Sequence, residues 1–184
     1  MHIAKTLTLI GITLLTAGCV PSLHPLYTEK DLVLKPELMG TWVGENAKDT
    51  WVLQKPMGKA YEGVYTENGE PERFETRFLK LGEFLFVDFF PEEPNMRNGF
   101  YSGHLIRVHS FARIRVEGDN FEMAMLDPDW LKKMIDEDKV KIAHEQLDEG
   151  MVLTASTLDL QKFVLKYAGD ENAFSNRSKW VRHK

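Results

Sequence analysis

"RFETRFLKLGEFLFVDFF", residues 73–90, holds the pattern on which the fold turns. Two strand-like runs, 73–81 and 83–90, meet at the turn signal Leu81-Gly82. In the second run Phe84, Phe86 and Phe90 share one face with Asp88 among them, and Leu85, Val87 and Phe89 take the other. Both faces are apolar, so neither sees much water. That describes a central strand of a covered sheet, or a barrel wall with one face on a cavity and the other under helices. Core packing and a cavity lined by Phe84, Phe86 and Phe90 both stay open. Asp88 is the odd residue of this strand, because a buried carboxylate requires a partner. Arg107 or a backbone group is expected to supply one.

Working outward, the same texture runs from Trp42 to Leu126. "TWVGE", "DTWVLQK", "KAYEGVYT", "YSGHLIRVH", "FARIRVEG" and "NFEMAML" read as further strands. Asn68-Gly69, 91–99 and Gly118-Asp119-Asn120 divide them, and Asn-Gly between such runs signals a hairpin. The expectation is an antiparallel meander of seven or eight strands, mainly β and barrel-like. The count depends on whether 101–116 forms one bent strand or two. The loop "FPEEPNMRNGFY", residues 90–101, is the longest between strands and the candidate mobile lip, or an ordinary surface loop.

Two C-terminal helices are expected. In "LDPDWLKKMIDEDK" Asp127 can cap the first turn and Pro128 suits the first helical position. Trp130, Leu131, Met134 and Ile135 supply the stripe. "STLDLQKFVLKYA" has Ser156 three residues before Asp159, with Leu160, Phe163, Val164 and Tyr167 on one face. A hairpin around 148–150 separates them. Both helices are expected to cover an edge or end of the sheet.

At the other end, Lys5 is the only full charge before Glu29, and "LTLIGITLLTAG" is an apolar run too short to span a bilayer comfortably. A basic start, that length and small residues at its end read as a secretory signal. "LTAGC", residues 15–19, resembles the bacterial lipoprotein signal, with Thr16 where that family more often has leucine. The resemblance implies cleavage after residue 18 and diacylglycerol and palmitate on Cys19. It also implies that Val20, in the place where aspartate retains such proteins in the inner membrane, sends the chain to the outer membrane, facing the periplasm. The segments are then a signal peptide over 1–18, a tether over 19–36 and a single β-rich domain over 37–184. Pro21, Pro25 and Pro36 keep the tether extended. Its leucines and Tyr27 are too apolar for a free linker, so part of it lies along the domain. Cys19 is the only cysteine, so no disulfide forms within the chain.

"PELMGTW", residues 36–42, resembles the lipocalin and lipocalin-like signature through Gly40 and Trp42. The resemblance implies a short helical turn before the first strand and a tryptophan closing the narrow end of a barrel. An arginine from a late strand should stack on that ring, and Arg113 and Arg115 are the candidates. The helix–hairpin–helix stretch after Leu126 departs from the family, which has one helix there. "PSLHPLYTEKDLV" and "AMLDPDWLKKMI" also resemble a group of uncharacterised bacterial lipoproteins, which implies no activity.

The net charge of −5 without a basic stripe argues against nucleic acid as a partner and against electrostatic attachment to anionic lipid, which leaves the acyl chains to hold the protein. Six histidines are scattered without metal-ligand spacing, and no nucleophile elbow or phosphate-cradling loop is present. His104 with Asp88 is a possible base-and-orienter pair, with no nucleophile tied to it. Neither a metal nor a cofactor is expected, and an enzyme is the third reading. The leading one is an anchored envelope lipoprotein that binds a small hydrophobic ligand on Phe84, Phe86 and Phe90, reached beside the 91–100 loop. The alternative is a non-catalytic protein-interaction or structural module of the envelope.

Overall fold

The structure is a computed structural model, and it describes residues 19–148 and 150–184. The signal-peptide reading of 1–18 lies outside the described residues. A closed, antiparallel, lipocalin-like barrel of eight strands forms the body. Its strands are β1 (Gly40–Gly44), β2 (Thr50–Met57), β3 (Ala60–Glu67), β4 (Glu70–Leu81), β5 (Phe84–Pro91), β6 (Ser110–Glu117), β7 (Asn120–Met125) and β10 (Asn176–Arg182). The first seven are a meander, and β10 enters between β7 and β1 to close the ring. Closure removes the sheet edges that a seven-stranded meander would leave exposed.

The β3–β4 hairpin turns on Asn68 and Gly69, both at positive φ (52° and 89°), which is the geometry Asn-Gly tolerates. Strand β6 begins only at Ser110, so 101–109 is not the expected strand. In its place stand a loop and the single-turn α1 (Gly99–Ser102), capped by the Asn98 side chain on the Tyr101 N–H. Asn98-Gly99 starts a helical turn here, and Gly103 with its neighbours ends it.

Between β7 and β10 lie α2 (Pro128–Asp136), the hairpin of β8 (His144–Leu147) with β9 (Gly150–Leu153), and α3 (Thr157–Tyr167). Asp127 caps α2 through the Trp130 N–H, and Ser156 caps α3 through the Asp159 N–H. The buried face of α3 is Leu160, Phe163 and Val164, as its 3.6-residue spacing requires. These elements lie on the outer wall of the barrel.

Two hydrophobic cores result. One fills the barrel with Trp42, Trp51, Leu53, Tyr61, Phe78, Val87, Phe89, Ala112, Ile114, Phe121, Met123 and Trp180, roofed at one end by Leu38. The other lies outside, where Leu79, Leu81, Phe86, Phe111 and Ala124 of the wall meet Leu131, Leu153, Leu160, Phe163, Val164 and Phe174. Residues 20–32 run along this second core, with Val20, Leu26 and Leu32 buried in it.

Candidate functional site

The narrow end is built by the 3-10 turn Pro36–Leu38 and by Trp42. The Trp42 indole N–H donates to the Leu38 carbonyl at 2.8 Å, and its ring meets Phe121 edge-on at 4.7 Å. The cation over Trp42 is Arg182, with its guanidinium 4.2 Å from the ring centre and a bond to the Met39 carbonyl. Arg113 and Arg115, the expected partners, cannot reach it. Ala112 and Ile114 of the same strand point inward, so alternation turns both arginines outward. Arg182 was missed because "NRSKWVRHK" after α3 carries only Trp180 and Val181 as apolar signal, too little to read as a strand.

The barrel interior is filled by aromatic rings. Trp51 stacks between Tyr65 and Phe89, each at 4.8 Å, and Phe121 lies parallel to Trp180 at 6.0 Å. Such contacts add to the area they bury. The remaining void is about 10 Å³, lined by Trp51, Thr76, Phe78, Val87 and Phe89 among others. That is roughly the space of one water probe. Gly63 is required beside it, because a Cβ there would collide with the Thr76 hydroxyl.

The face expected to line a cavity is therefore the wrong one. Val87 and Phe89 point inward, and Phe84, Phe86 and Phe90 point outward. Phe86 packs against Phe174 at 5.9 Å, Phe84 lies half-buried on the outer core, and Phe90 stacks on His109 at 4.4 Å. Two apolar faces give no periodicity signal to choose between. Asp88 shares the outward face, and the hydrogen-bond donors that satisfy it lie on that side.

Those donors build a polar link inside the outer core. Asp88 is 1% exposed. Its Oδ2 accepts from the backbone N–H of Leu26 at 2.8 Å, and its Oδ1 lies 2.7 Å from His109 Nδ1. Burial pushes the Asp88 carboxyl above its ordinary range, opposed by His109 and the Leu26 N–H. Arg107 is not the partner: it covers the Phe90 ring at 4.7 Å. His104 is not the paired histidine either, since its Nδ1 meets the Phe100 carbonyl at 2.7 Å in the exposed loop. Chain topology, invisible in the spacing, brings His109 rather than His104 to β5.

His109 also holds the incoming chain through its backbone. Ser22 and His109 exchange both N–H···O bonds at 2.8 Å, while Leu23 donates to Leu153 and Leu153 to Pro21 at 2.9 Å. Thr157 and Gln161 of α3 donate to the carbonyls of Pro25 and Leu26. Residues 21–26 are thus clamped between the barrel wall and α3, directly after the exposed Cys19 and the buried Val20.

Arg113 marks a second polar contact. It is 2% exposed, donates to the Ala168 carbonyl at the end of α3, and forks onto Glu171 at 3.1 and 3.2 Å. Arg115 and Arg177 reach the same carboxylate. Burial, then the like charges of Arg115 and Arg177, lower the Arg113 pKa.

Among the described residues no group of three His, Cys, Asp or Glu is placed to hold a metal, and no helix is long and apolar enough to cross a membrane. The chain matches no protein-family model, no curated protein and no solved structure.

Proposed function

We propose that this chain is a lipid-anchored envelope module whose barrel is a filled scaffold, with its working surface on the outside. The observation that carries this reading is the interior void of about 10 Å³. Drug-sized ligands need pockets of about 300–1,000 Å³, and a barrel that carries one must keep that space. An eight-stranded barrel can be filled by side chains or hold one small ligand, and here the side chains fill it. Small-molecule binding inside the barrel would require Trp51 or Phe89 to leave its stack. The interaction or structural reading is therefore favoured over the ligand-carrier reading.

The anchor reading rests on "LTAGC"; with Cys19 as the anchor, the clamped path of residues 21–26 leaves little slack between it and the body. A chain held this way works within a short distance of the bilayer. Metabolic labelling with a palmitate analogue tests the anchor, and crosslinking in intact envelopes tests the partner. Wild-type chain should take up the label and Cys19→Ala should not. Labelling that persists in Cys19→Ala overturns the anchor. Crosslinked protein partners are expected; only lipid or a small molecule in the adducts would return weight to the carrier reading.

A further inference from the structure

The loop joining β5 to β6 carries the two most exposed large apolar side chains of the described surface. Phe100 is 83% and Ile106 76% exposed, and Met96, Tyr101 and Leu105 are exposed beside them. These side chains are held out by a built turn. Asn98 caps α1, Gly103 donates to Gly99, His104 to Tyr101 and Leu105 to Ser102, all backbone N–H bonds of about one helical repeat. The His104 ring lies 4.6 Å from Phe100 and bonds its carbonyl, which fixes the turn carrying that ring.

From the structure we infer that residues 96–106 form a knob that inserts into the lipid interface on the side where the chain is anchored. This rests on the reading of Cys19 as the lipidated residue. Two observations select a lipid surface over other occupants. First, charge: Arg97, His104 and Arg107 accompany the apolar side chains, and no acid occurs from 94 to 109, although the chain as a whole carries −5; Glu92 and Glu93 stand just before this stretch. Aromatic and aliphatic tips over a cationic collar suit the boundary between acyl chains and anionic headgroups. Second, position: Ser22, three residues after Cys19, is paired with His109, three residues after Ile106. Three residues reach at most about 11 Å, so anchor and knob are strapped to the same part of the barrel. Lipidation brings the body to the membrane, and the knob fixes which way it faces.

The absence of any cysteine besides Cys19 provides the test. Full-length protein carrying Phe100→Cys, Ile106→Cys or the exposed control Val181→Cys is labelled with an environment-sensitive maleimide dye. It is then reconstituted in phosphatidylethanolamine–phosphatidylglycerol vesicles containing doxyl lipid. The dyes at 100 and 106 should shift to the blue and be quenched by doxyl lipid, and the dye at 181 should do neither. Equal behaviour at all three positions overturns the inference. So does a blue shift at 100 and 106 that appears without vesicles and grows with protein concentration, because a second copy then covers the knob. Dye uptake by the wild-type chain would instead reveal a free Cys19 thiol, which defeats the anchor reading separately.

Discussion

Replacing Asp88 removes the polar link between the barrel wall and the incoming chain. In Asp88→Ala the backbone N–H of Leu26, a residue 0% exposed, loses its acceptor, and His109 loses the oxygen at 2.7 Å. A buried group left without its partner costs about 1–3 kcal/mol, and a bond to a charged acceptor contributes about 1.5–3. Two such losses give roughly 3–6 kcal/mol, less what is regained by no longer burying a carboxylate. Since burial already pushes the Asp88 carboxyl up, that return is real, and a net loss of about 2–4 kcal/mol is expected. Asp88→Asn keeps an oxygen for Leu26, and its amide N–H pairs with His109 once the ring proton moves from Nδ1 to Nε2, so its cost should be nearer to about 1 kcal/mol. Urea unfolding followed by tryptophan fluorescence measures both. Hydrogen exchange at the Ser22, Leu26 and His109 amides shows where the loss falls. An Asp88→Ala variant within about 0.5 kcal/mol of wild type, or one that loosens the barrel strands and leaves residues 22–26 protected, would refute the reasoning.

Arg113→Ala should cost about 1–3 kcal/mol, because the Ala168 carbonyl loses its buried donor while the half-exposed Glu171 keeps Arg115 and Arg177; calorimetry checks it, and a near-neutral result would mean that water satisfies that carbonyl. Trp51→Ala should cost about 3–5 kcal/mol and open a dry cavity next to the existing void, detectable as saturable benzene binding by chemical-shift change. If the barrel of that variant instead collapses around the shortened side chain without taking up benzene, its packing is less rigid than described. Asp31 gives the pH prediction. Burial pushes its carboxyl up, but bonds from Thr28 and Gln161, with Lys30 nearby, outweigh that and hold it below its ordinary 3.8. A depressed folded pKa contributes stability that is present above 3.8 and lost as pH falls through the folded value. The stability gap between wild type and Asp31→Asn should therefore be full at neutral pH and shrink in acid, as read from urea midpoints at both. A gap that does not change would contradict it.

The parts legible in the chain were those with local signals. Asn68-Gly69, the Asp127-Pro128 start and the Ser156–Asp159 cap each act within a few residues, and the turns and helices appear where those residues stand. Trp42 at the narrow end was readable because Gly-x-Trp follows a short turn. What failed depended on long-range choices. Strand β10 is seven residues long and sits after two helices, so its place between β7 and β1, and with it Arg182 over Trp42, is a matter of closure rather than propensity. The inward face of β5 was undecidable where both faces are phenylalanine-rich, and Asp88 would have settled it only if the donor at Leu26 were known. Residues 101–109 carry enough branched and aromatic residues to read as a strand, and no neighbouring strand pairs them along their length.

The barrel interior is occupied by the protein's own side chains. A crystal structure of the protein purified from its own envelope, without refolding, tests this most directly. Trp51 should be stacked between Tyr65 and Phe89, with continuous side-chain density from Leu38 to Trp180 and nothing larger than a water in the void. Elongated density of a bound lipid or other apolar molecule inside the ring, with Trp51 or Phe89 swung aside, would contradict it.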